Sequence, residues 1–72
     1  MAETQTEPQP SAQAFRLQAL RNVAGIPLRE LADESGFSIS FLSQIENGHR
    51  RLTPEVRQKL FSALARLIGQ AA

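Results

Sequence analysis

From Ser11 onward, apolar residues recur every three or four positions along this chain, and glycine or proline interrupts them at intervals. That period belongs to helices, and no segment alternates apolar and polar with period two for more than a few residues. Gly25, Gly36, Gly48 and Gly69 read as C-terminal stops, while Pro27 and Pro54 read as first-turn residues. Four stops predict four helices in an all-α fold. The first opens at Ser11 as N-cap and spreads Phe15, Leu17, Ala19, Leu20 and Val23 over a broad apolar face. The second runs from about Pro27 to Glu34 with Leu28, Leu31 and Ala32 inward. The third opens at Ser38, stops at Gly48 and buries Leu42 and Ile45. The fourth takes Thr53 as N-cap and Pro54 at its first position, and carries Val56, Leu60, Ala63, Leu64 and Leu67 at helical spacing.

Residues 11–69 therefore form the expected folded domain, with residues 70–72 as its C-terminal end. Met1 to Pro10 is rich in Gln, Thr, Glu and Pro and has no apolar residue after Ala2, so it cannot repay the entropy of ordering. It is expected to be a disordered tail.

The second and third helices are short and joined only by Ser35-Gly36-Phe37, which predicts a steep crossing of helix-turn-helix type over residues 27–47. Ala32 is small enough for the crossing, and Gly36 can take the left-handed conformation that the turn requires. Phe37, Leu42 and Ile45 then point back at the first two helices.

At this point the sequence resembles the lambda-repressor/Cro type of DNA-binding domain, also called the xenobiotic-response-element family. The resemblance covers roughly Arg16 to Leu64. It rests on Leu17, Leu20, Arg21, Gly25-Ile26, Leu31-Ala32, Gly36 and Leu42-Ser43-Gln44-Ile45-Glu46-Asn47-Gly48. It implies a compact bundle of four helices, five in longer relatives, whose third helix enters the major groove of duplex DNA.

With Leu42 and Ile45 inward, Ser40, Gln44 and Asn47 form a polar, uncharged stripe on the opposite side of the third helix. Such side chains suit base edges, since Gln can bond adenine N7 and N6 together and Ser can donate or accept. A solvated neutral face would look the same. The resemblance favours base reading by Ile39, Ser40 and Gln44, because those positions usually read bases in the family. Many members carry a phosphate-bonding Gln where Leu28 stands and a base-bonding Gln where Ile39 stands. Ile39 could instead pack on a thymine methyl; Phe41, on the flank, could do the same or pack against a neighbouring helix.

Backbone contacts are expected from Ser38 and from the turn after the helix. Asn47 and Gly48 resemble the family's phosphate-binding corner, and His49, Arg50 and Arg51 follow at once. Arg16 and Arg29 are weaker candidates. The resemblance also implies a structural ion pair between Arg21 and Glu46, since a carboxylate near the inward side of the third helix needs a partner.

Composition narrows the functional classes. Seventy-two residues make one small domain, too short for a large enzyme pocket. No apolar run approaches the roughly 18 residues of a membrane span, and Glu3 and Glu7 stand where a signal peptide would be basic. A cytoplasmic, nucleoid-associated protein is expected. The absence of cysteine removes disulfides and thiol chemistry, and no phosphate-loop, dinucleotide or nucleophile-elbow motif occurs. No catalytic residue, metal or cofactor is expected.

The net charge of +1 hides opposed regions. Glu3 and Glu7 give the tail -2. Residues 28–48 carry -3, from Arg29 against Glu30, Asp33, Glu34 and Glu46, whereas residues 49–72 carry +4, from Arg50, Arg51, Arg57, Lys59 and Arg66 against Glu55.

The function expected is that of a sequence-specific transcriptional regulator, a repressor, docked on a palindromic operator as a homodimer. Phe61, Leu67 and Ile68 could supply a dimer contact or close the core against the first helix. The rival is a protein-binding helix-turn-helix module, such as an antitoxin or anti-repressor adaptor, which apolar Leu28, Ile39 and Phe41 would suit.

Overall fold

The computed structural model describes residues 11–71, which form four helices: α1 (Ala12–Val23), α2 (Leu28–Ser35), α3 (Ile39–Glu46) and α4 (Pro54–Ala71). The tail expected over Met1 to Pro10 lies outside the described residues, as does Ala72.

Local chemistry starts and stops these helices. Ser11 caps α1, its hydroxyl oxygen accepting the Ala14 amide at 3.1 Å, and Ser38 caps α3 by accepting the Phe41 amide at the same distance. Thr53 caps α4 through the Val56 amide at 3.3 Å. Pro27 stands one position earlier than a first-turn residue, at the N-cap of α2 with extended ψ of 152°. After α1 and α3 the chain closes in Schellman turns. Ile26 and Gly25 donate to the carbonyls of Arg21 and Asn22, and His49 and Gly48 donate to those of Gln44 and Ile45. Gly36 stops α2 at φ 84°, a left-handed conformation that lets the chain turn directly into α3.

α2 packs against α3 and α4, and α1 packs against α3 and α4. Leu17, Leu31, Leu42, Ile45, Leu60 and Leu64 are the largest fully buried side chains, one or two from each helix. Burial of each is worth about 1.5–3 kcal/mol against exposure.

Two further expectations fail. Gly69 does not stop α4, which runs through it to Ala71. Propagating an established helix by a residue is far cheaper than nucleating one, and the packed Leu60, Ala63 and Leu64 have already fixed its direction. The inward face of α1 is also narrower than the apolar pattern suggests. Ala14 and Leu17 are buried, but Phe15 is 62% exposed, Leu20 46% and Val23 87%, and Ala19 is exposed too. The stripe through Ala14, Leu17 and Arg21 is the covered side of α1, while Ala19, Leu20 and Val23 line an open groove with Phe61 of α4. Phe61 and Leu67 pack at the margin of the core, whereas Ile68 is exposed.

Candidate nucleic-acid interface

The position of α3 is set from below by Leu42 and Ile45, each 1% exposed, and from the side by an ion pair. The Arg21 guanidinium donates to both carboxylate oxygens of Glu46, Nε to Oε2 at 2.9 Å and Nη2 to Oε1 at 2.8 Å. Its Nη1 donates to the Ile26 carbonyl at 3.0 Å. Arg21 thus ties together the end of α1, the turn after it and the end of α3. The Glu46 side chain is only 5% exposed, so its charge depends on this planar, two-pronged partner.

The opposite side of α3 faces outward. Ser38, Ile39, Ser40, Gln44 and Asn47 are all exposed, and the half-buried Ser43 lies between Ile39 and Asn47 on the same side. Ser43 is a member of this face that the stripe read from the sequence omits, although helical spacing from Ile39 and Asn47 points to it. Its hydroxyl accepts from the Asn47 amide nitrogen at 3.3 Å. The face contains no charged side chain.

A histidine and two arginines stand at its C-terminal end. His49, Arg50 and Arg51 are exposed just beyond the last turn of α3, where the carbonyl end of a helix favours positive charge. Arg50, though exposed, folds back along α3. Its Nε donates to Gln44 Oε1 at 3.0 Å, and its guanidinium carbon lies 5.1 Å from the centre of the Phe41 ring. Phe41 in turn stacks on Phe37, with ring centres 5.0 Å apart. Phe41 is half-buried and Phe37 packs against the core, so the two rings form a base under Arg50.

Residues 17–69 match a family model described as helix-turn-helix. The chain belongs to this family, the lambda-repressor/Cro type of helix-turn-helix domain. The family is one of DNA-binding transcriptional regulators.

Solved helix-turn-helix proteins share the fold. The clp gene regulator ClgR from C. glutamicum superposes with a TM-score of 0.72 at 30% identity, over 82% of this chain and 77% of that one. The restriction-modification controller protein C.AhdI from Aeromonas hydrophila gives 0.68 at 32% identity, over 74% and 80%. The controller protein C.Esp1396I gives 0.70 at 21% identity, over 82% of each chain, a likeness of fold alone. No curated protein sequence matches this chain.

The helix-turn-helix domain brings Ile39, Ser40 and Gln44 onto one exposed face with Asn47, and sets His49 and Arg51 at its edge. Leu28 is half-buried against the core. Arg16 and Arg29 are exposed on α1 and α2, outside the α3 face. Among the described residues, no group of three His, Cys, Asp or Glu could hold a metal ion, and no helix is long and apolar enough to cross a membrane.

Proposed function

We propose that this chain is a sequence-specific transcriptional repressor that inserts α3 into the major groove of a palindromic operator and acts there as a homodimer in the cytoplasm. The observation that carries the reading is the exposed, uncharged face of α3 ending in a cationic turn. A neutral polar strip can approach base edges without the desolvation penalty of a charge, while cations at its end meet phosphate and set the register. Ile39, Ser40 and Gln44 read bases. Ser38, Asn47, His49, Arg50 and Arg51 serve the backbone, Arg50 having a second role developed below. Glu34 of α2 is paired with Arg66, and Glu46, buried at the end of α3, has its charge matched by Arg21.

Few base-reading side chains fit on one helix of eight residues, so useful specificity calls for two half-sites. The exposed apolar residues of α1, Leu20 and Val23, which line an open groove with Phe61, offer area for a second copy. Repression follows from occupancy, because a domain seated in the groove excludes other proteins from that stretch of duplex.

The test is selection of bound sites from random duplex, with the salt dependence of binding measured on the winning site. A palindromic consensus, with affinity falling steeply as salt rises, supports the reading. The second reading is a protein-binding module of the antitoxin or adaptor kind, favoured by Ile39, which leaves 46% of its surface exposed on α3. Failure to enrich any duplex sequence would decide for it.

A further inference from the structure

A glutamine side chain in the groove is ordinarily ambivalent. Its amide offers an acceptor and a donor side by side, the combination that matches adenine N6 and N7. In this protein the acceptor end of Gln44 is engaged, because Oε1 receives the Arg50 Nε–H at 3.0 Å. Arg50 is held for this purpose at several points. Its backbone amide and that of His49 donate to the Gln44 carbonyl at 3.2 and 2.8 Å, and Gly48 makes the turn possible at φ 83°. Its guanidinium rests on the Phe41 ring, 5.1 Å from the centre, and that ring is itself supported by Phe37.

The Arg50 bond occupies one of the two lone pairs of Oε1 and orients the amide, which sets the Gln44 NH2 group beside the remaining N–H donors of Arg50. The pair therefore offers donors to the groove. Guanine presents two adjacent major-groove acceptors, N7 and O6, whereas adenine presents an acceptor beside a donor. We propose that Arg50 is a specificity-determining residue that holds the Gln44 amide donor-outward, so that the pair selects guanine over adenine at one position of each half-site. This inference rests on the reading of α3 as the groove-entering helix. It assigns Arg50 a role beyond phosphate binding, and it replaces the bidentate adenine contact that an isolated Gln44 would make.

The experiment compares the full chain with Arg50→Lys, Arg50→Ala and Gln44→Ala. Site selection gives the consensus, salt titration gives the phosphate contribution, and NMR of the Gln44 side-chain amide gives its order in the free protein. Lysine keeps the charge but lacks the Nε donor and the planar face that rests on Phe41. Expected are guanine at one position per half-site for the wild type and a shift toward adenine of roughly tenfold or more for both Arg50 variants. Arg50→Lys should retain the wild-type salt slope, and the Gln44 amide should lose order in both Arg50 variants.

An unchanged consensus for Arg50→Ala with a shallower salt slope would make Arg50 a phosphate contact and overturn the proposal. So would a Gln44 amide equally mobile in the wild type and in Arg50→Ala. If the wild type enriches no sequence while its Gln44 amide is ordered, the groove-reading function has failed although the side-chain pair exists, and the specificity role falls with it.

Discussion

Replacing Arg21 by alanine removes three donated hydrogen bonds at once, two to Glu46 and one to the Ile26 carbonyl. The larger effect lies in what remains. Glu46, 5% exposed, would be left with its charge below the surface and no guanidinium to meet it, and breaking a buried pair in this way costs about 3–5 kcal/mol. A domain of this size has a total stability on the order of 3–9 kcal/mol. The loss is therefore comparable with the whole. At about 4–8 °C per kcal/mol, the melting temperature should fall by at least about 12 °C. Circular-dichroism melts and urea titrations of the wild type, Arg21→Ala, Glu46→Ala and the double variant Arg21→Met/Glu46→Leu measure it. The double variant should be more stable than Arg21→Ala, since no charge is left unpaired and the apolar replacements keep much of the volume. A melt of Arg21→Ala within about 2 °C of wild type would refute the reasoning.

The remaining predictions concern α3, the turn after it and the glycines. Gln44→Ala should cost about 1–3 kcal/mol at one base pair and leave preferences elsewhere in the half-site intact, as read from selected sites. Arg51→Ala should weaken specific and non-specific duplexes alike and lower the salt slope by about one, a pattern that titration at several salt concentrations would reveal. Gly69→Ala should stabilise α4 by about 0.5–1 kcal/mol, because the position is helical and an added Cβ meets nothing within 4 Å; a lower urea midpoint would contradict this. Gly36→Ala should destabilise by about 1–2 kcal/mol despite equally open space, since its φ of 84° is left-handed and costly for an alanine Cβ, and the same titration tests it.

Spacing alone was enough to predict four helices, their capping residues Ser11, Ser38 and Thr53, and the inward and outward sides of α3. These depend on interactions within one turn: the i to i+3 bond of a cap, the left-handed glycine at a stop, the 3.6-residue period. Gly69 shows where such signals weaken. Gly25 and Gly48 are followed by chain that turns back and donates to the helix end, whereas Gln70 and Ala71 continue the helix. The side of α1 that is buried was not legible, because Phe15, Leu20 and Val23 are as apolar as Leu17, and only the position of α3 and α4 selects the stripe that closes the core.

The site divides in the same way. The membership of the α3 face follows from helical geometry, with Ser43 the omission. The direction of Arg50 does not, for a cation beyond a helix end has no preferred orientation until a ring and an amide oxygen are placed within its reach. Residues 21 and 46 lie 25 positions apart, and their pairing was implied only by family resemblance. Local sequence thus determined which helices form and where they begin. Tertiary structure decided which faces are covered, because burial of a side chain is a property of its neighbours, and those arrive from distant parts of the chain.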